Sequence, residues 1–125
     1  MGRLRDLGVD VRLAKIPVTH FPRACACYRE VVGLEEDFAV EEYGWAQDRA
    51  GSLPLCLYVP RSGGGEGVPG GETGVHLAIS DLRAAYTGMK ARGARFPCGL
   101  VESDDGGHFS LFEDLDGNVT KVVQK

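Results

Sequence analysis

The two halves of this 125-residue chain repeat one pattern. The first half contains IPVTHFPRACACYREVVG, Ile16 to Gly33, and the second LAISDLRAAYTGMKARG, Leu77 to Gly93. Each reads as a short apolar strand, a polar pair suited to capping, a helix of about three turns and a glycine stop. In the second, Leu82, Ala85, Tyr86 and Met89 recur at the spacing of a buried helical stripe. Asp81 is placed to cap that helix and Gly93 lies just past its end. In the first, Pro22 suits an opening helical turn, where a missing N–H does no harm. Ala24, Tyr28 and Val31 or Val32 would face inward.

After each helix the pattern turns to strands. The first half predicts them near Glu36–Glu42, Trp45–Arg49 and Leu53–Val59, the second near Ala94–Pro97, Phe109–Phe112 and Val119–Val123. Each half is therefore a βαβββ unit, which cannot cover both faces of its own sheet and must pack on a partner unit. The expectation is a single α+β domain over 1–125, with module one at 9–60 and module two at 74–125. Between them RSGGGEGVPGGET, residues 61–73, has six glycines and no apolar periodicity, and reads as a flexible linker.

The chain ends in FEDLDGNVTKVVQK. Asp116-Gly117-Asn118 between two β-rich runs is a hairpin signal. It puts Val119, Lys121 and Val123 on one face of the last strand. The net charge of −4 argues against a general nucleic-acid binder. No run approaches a membrane span and no signal peptide is evident, so a cytoplasmic setting is expected. Cys25, Cys27, Cys56 and Cys98 lack the spacing of a disulfide scaffold and read as small buried thiols that stay reduced.

Three segments, Pro17–Glu35, His76–Phe96 and Phe112–Gln124, resemble the vicinal oxygen chelate superfamily of glyoxalase I, extradiol dioxygenases and the fosfomycin and bleomycin resistance proteins. The ending, with Leu115 where that family usually has proline, is the most specific of the three. The resemblance implies two modules curling around a concave mixed-sheet cleft, and a homodimer. Metal-dependent relatives hold a divalent ion there with His, Glu or Gln side chains on the first and last strands of each module. Carried over, those positions fall on Leu13, on Gly74 with His76 two residues on (or, with a one-residue gap, on His76 itself, the one good ligand left), on Lys121, and at best on Cys56. Leucine and glycine offer no donor, and an ammonium repels a divalent ion. The expectation is thus no metal and no other cofactor.

The residues expected to line the cleft are Leu13, Lys15, Trp45, His76, His108 and Lys121. Bland alternatives stand beside them. His76, as a lone strand histidine, is more often a hydrogen-bonded structural residue, and His20 a cap or surface residue. His108 would by default be solvated, Trp45 a core side chain, and Lys121 a solvent-facing lysine or the cross-hairpin partner of Glu113. The acidic clusters Glu35–Asp37, Glu41–Glu42 and Asp104–Asp105 read as a solvated face. Functionally, a metal-independent small-molecule binding protein leads. A metalloenzyme, a lyase or dioxygenase using His76, His108 and Glu113, is the alternative. A metal-free enzyme using Lys121 or His76, or a dimerisation module with a filled cleft, also fits.

Overall fold

The computed structural model describes residues 2–104 and 107–125, so Asp105 of the acidic clusters lies outside the described residues. The first half forms β1 (Ala14–Pro17), α1 (Phe21–Ala26), β2 (Glu35–Val40), β3 (Trp45–Ala50) and β4 (Leu53–Tyr58). The second forms β5 (Gly71–Ile79), α2 (Leu82–Ala91), β6 (Val101–Glu102), β7 (His108–Glu113) and β8 (Asn118–Gln124). Two four-stranded mixed sheets result, ordered β1-β4-β3-β2 and β5-β8-β7-β6. In each, the first strand runs parallel to the last, and the helix and two strands between them make the long crossover that parallel pairing requires.

Strand alternation gives each sheet a back and a front. The backs share one core: Ile16, Ala46, Leu55 and Leu57 from the first sheet, and Phe112 and Val122 from the second. Phe21, Ala24, Cys25 and Tyr28 of the first helical segment join it, as do Leu82 and Met89 of α2. The Tyr28 ring meets Phe112 edge-on with centroids 6.1 Å apart, so the first helical segment reaches across to the second sheet. Neither module could bury its back alone, which is the reason for the duplication.

The second helix follows its sequence pattern closely. Asp81 Oδ1 accepts the Ala84 N–H at 3.1 Å, and Leu82 and Met89 are buried. The first helix departs from its pattern. After Ala26 the winding widens, and Cys27–Val32 forms a π turn that ends at Gly33. Gly33 N and Leu34 N both donate to the Tyr28 carbonyl, at 3.1 and 3.0 Å. Gly33 sits at φ 90°, a left-handed stop that suits glycine. The wider turn rotates the stripe, so Tyr28 stays buried while Val31 and Val32 are only half-buried.

Two further expectations need correction. Ala94–Pro97 is not a strand: Arg95 makes a lone bridge to Glu113, and the edge strand comes later, at Val101–Glu102. Gly71–Thr73 already belong to β5. Before it, Gly64, Gly65 and Gly67 lie against the first sheet, and the Gly70 N–H donates to Asn118 Oδ1 at 2.8 Å.

The β7–β8 turn binds the modules together. Gly117 N donates to the Asp114 carbonyl at 3.1 Å, closing a four-residue turn. The buried Asp114 carboxylate accepts from Tyr28 Oη at 2.7 Å, Asn118 Nδ2 at 2.9 Å, and the backbone N–H groups of Asp116 and Asn118 at 2.9 Å each. Asn118 Nδ2 also donates to the Pro17 carbonyl at 2.8 Å, and Asp116 accepts the Thr19 N–H at 3.0 Å. The Asp-Leu-Asp-Gly-Asn run is therefore a structural clasp. Its one apolar member, Leu115, is 59% exposed at the second position of the turn. Arg61 is the only described non-glycine residue at positive φ, so Leu115 and Asp116 have the ordinary φ of a type I turn, which favours proline at its second position. Leu115→Pro is expected to raise stability by about 0.5 kcal/mol, read as a shift in urea midpoint at constant slope.

Candidate functional site

The fronts of the two sheets carry no helix. On the first, β1, β4, β3 and β2 place Lys15, Cys56, Gln47 and Phe38 on one rung, by the pairings Lys15–Cys56, Gln47–Cys56 and Phe38–Gln47. Two residues along, Pro17, Tyr58, Trp45 and Val40 form the next rung. Leu13 lies just before β1 and is half-buried. Lys15 and Trp45, expected together, do share this face. A cavity of about 340 Å³ opens beside Trp45, walled by Phe38, Val40, Tyr43 and Gly63.

The glycine-rich segment crosses this front. Lys15 Nζ donates to the Gly64 carbonyl at 2.7 Å and lies 4.6 Å from the centre of the Tyr58 ring. Tyr58 Oη donates to the Glu66 carbonyl at 3.0 Å. A methyl group added at Gly64 would stand 2.9 Å from both Trp45 Cε3 and Tyr58 Cβ. So the backbone comes as near the Trp45 ring and the base of the Tyr58 side chain as a side-chain-free residue permits. Composition signalled flexibility here. The packing that pins the segment is tertiary and left no local sign.

On the second sheet, His76 of β5 is paired with Lys121 of β8, and Leu111 of β7 is paired with Lys121 on the other side. These three, with Glu72, Gly74, Val75 and Val119, line a small cavity of about 90 Å³. Lys121 Nζ sits 4.6 Å from the centre of the Phe109 ring. Among the described residues no carboxylate lies within 4 Å of it. Glu113 is not its partner, because it pairs with Arg95 at 3.3 Å.

His108 needs correction as a cleft residue. It alternates with Phe109 and Leu111, so it points to the same face as Ser110 and Phe112, the back. There its Nδ1 lies 3.8 Å from Glu102. A set of His76, His108 and Glu113 therefore cannot converge on one ion. His20 occupies the cap position of α1 but makes no cap hydrogen bond. Phe109, Leu111, Tyr58 and Gln47 are front residues that sequence reasoning did not single out. Counting by twos from Lys121 and Cys56 along the paired strands would have found them.

The metal positions implied by the resemblance do not fit an ion. Leu13 and Gly74 offer no side-chain donor, His76 is left as a lone imidazole paired with Lys121, which brings a cation, and burial raises the Cys56 thiol above its ordinary range. Among the described residues no three His, Cys, Asp or Glu side chains gather as a metal site requires. Cys25 and Cys27 offer no nucleophile. Burial, then the nearby Glu36 and Asp48, pushes Cys25 up to about 11. Burial, then Asp114 and Asp116, does the same to Cys27. Cys98 alone is exposed, contrary to the expectation of four buried thiols. No described helix is long and apolar enough to cross a membrane.

Paired βαβββ modules with helix-free fronts define the fold of a known superfamily. The chain belongs to the Glyoxalase/Bleomycin resistance protein/Dioxygenase superfamily, whose model matches residues 11–122. A superfamily member from Sphaerobacter thermophilus DSM 20745 is 24% identical, with a TM-score of 0.83 over 95% of this chain and 99% of that one. A lactoylglutathione lyase from Agrobacterium tumefaciens is 17% identical, with a TM-score of 0.79 over 92% of each chain. TnmS3, an antibiotic binding protein from Streptomyces sp. CB03234, is 24% identical, with a TM-score of 0.71 over 93% of this chain and 95% of that one. At these identities the likeness is one of fold. No match was found among curated proteins.

Proposed function

We propose that this chain is a metal-independent small-molecule binding protein that holds its ligand in the cleft between modules, against the sheet fronts. The observation carrying this reading is Lys121, an ammonium beside His76 with no carboxylate within 4 Å among the described residues, at the position where a metal-dependent relative would carry an acidic ligand. A divalent ion there would meet a like charge in a partly buried site. An antibiotic binding protein among the structural relatives is consistent with a binding role.

Each front cavity draws its walls from a single module. A closed cleft is then best completed by a second copy, and we read the functional unit as a homodimer. Four unpaired cysteines suit a reducing compartment such as the cytoplasm.

Equilibrium dialysis against Ni²⁺, Mn²⁺, Fe²⁺ and Zn²⁺ is expected to leave no stoichiometric ion, in wild type and in Lys121→Met alike. One tightly held ion per chain, lost on substituting His76, would overturn the proposal and restore the metalloenzyme reading. Sedimentation is expected to give a species of twice the 13.4 kDa chain.

A further inference from the structure

The contact between Lys15 and the glycine-rich segment says more about the ligand than the open fronts do. Lys15 projects from the front of the first sheet, and among the described residues no carboxylate stands within 4 Å of it. What it holds is a carbonyl of its own chain, Gly64 O at 2.7 Å. That peptide unit lies on the Trp45 and Tyr58 side chains so closely that a Cβ at Gly64 is excluded. At Gly65 an added Cβ would stand 2.8 Å from Lys15 Nζ itself, and at Gly67 it would run into Tyr58 Oη. Gly64 and Gly67 thus lie where side chains would prise the segment from the sheet, whereas at Gly65 the flexible lysine tip could swing aside.

A peptide group is flat, and its oxygen carries only partial negative charge. An anionic oxygen makes a stronger, charge-assisted bond to an ammonium. We propose that Lys15, Tyr58 and Trp45 form a subsite for a flat molecule bearing a carboxylate or similar anionic oxygen, and that the segment around Gly64 is a strap occupying that subsite until such a ligand displaces it. The proposal rests on the small-molecule reading above and adds the chemical class. The strap lowers apparent affinity by the fraction of time it is closed.

Trp45 is the only tryptophan, so its emission reports the strap directly. Arg61 lies at the start of the segment and its N–H donates to the Gly65 carbonyl at 2.8 Å, so trypsin, which needs an extended backbone, cleaves after it when the segment opens. Gly64→Ala is expected to red-shift Trp45 emission and speed that cleavage roughly tenfold, since cleavage tracks the open population. Lys15→Met, which introduces no clash, is expected to open the strap as well. For the subsite the probe is 2-naphthoate, followed by calorimetry, with neutral 2-naphthylmethanol as control. Gly64→Ala should bind the naphthoate about tenfold more tightly than wild type, while Lys15→Met should lose the preference for naphthoate over the alcohol.

If Gly64→Ala leaves emission and cleavage unchanged while folding normally, the strap is refuted. If the strap opens but naphthoate and alcohol bind all three proteins alike, or not at all, the anionic subsite is refuted. Stoichiometric metal uptake would defeat the function reading instead, and leave the emission and cleavage results standing.

Discussion

Replacing Asp114 with alanine is expected to lower the melting temperature by more than about 10 °C, and to do so without any change in the sheet fronts. Asp114 is 4% exposed and accepts four hydrogen bonds, two of them from backbone groups that hold the β7–β8 turn. Without it, the buried Tyr28 hydroxyl and the Asn118 amide each lose a partner. Donors to an ionised acceptor are worth about 1.5–3 kcal/mol each, and a buried orphan costs a similar amount. Even with strong overlap between these terms the loss is roughly 3–5 kcal/mol. Differential scanning calorimetry checks it, with Leu115→Pro in the same turn as the contrasting variant. A drop of only a degree or two would mean that the clasp is not what joins the modules.

Asp48→Asn is expected to act in the opposite direction and only above acidic pH. Asp48 lies on the back of β3, 1% exposed, with Oδ2 lacking a hydrogen-bond partner. Burial and then the neighbouring Glu36 push its pKa from 3.8 up to about 6, with Arg29 opposing. The folded state therefore holds this proton more tightly than the unfolded chain. The stabilisation is complete below about 3.8 and is lost as pH rises through about 6. A rise of about two units corresponds to roughly 3 kcal/mol of destabilisation by neutral pH. Asparagine removes the charge but leaves an amide to be satisfied, so a net gain of about 1–2 kcal/mol at pH 7.5 is expected, shrinking towards zero near pH 4.5. Urea melts of both proteins across that range test it. Parallel pH profiles would show that Asp48 is solvated in a way its burial denies.

Much of the architecture could be read from the chain because it rests on local rules. The Leu82–Met89 stripe, the Asp81 cap and the Asp116-Gly117-Asn118 turn each encode their conformation within a few residues. The duplication then supplied the pairing of modules. What escaped notice depends on contacts far apart in sequence. A two-residue edge strand at Val101–Glu102 has no period to detect, and the apolar Ala94–Pro97 stretch looked more like one. The π turn at Cys27–Val32 follows from packing across both sheets rather than from propensity.

Alternation from a known turn or helix start gives the faces of Lys15, His76 and Lys121, and the resemblance gives that of Trp45; all four lie on the sheet fronts, and their part in holding a ligand belongs to the proposal above. His108 was assigned to the cleft by its position near the start of a strand, and alternation from Phe109 sends it to the back. The strap was read as a linker, since glycine content signals freedom whether or not something else removes it. Asp48 gave no sign at all: in sequence it is one more acid on a strand, and only register decides that it faces the core.

The repeat also breaks a symmetry. Lys15 with Cys56 in one module, and His76 with Lys121 in the other, occupy corresponding rungs between the first and last strands of each unit. Two copies of an ancestral half would have offered a guest identical walls, and the guest could have entered either way round. Here one wall has its cation on the outermost strand and the other has it one strand further in. A molecule with distinct ends gains a preferred orientation from that offset alone, before any shape is matched.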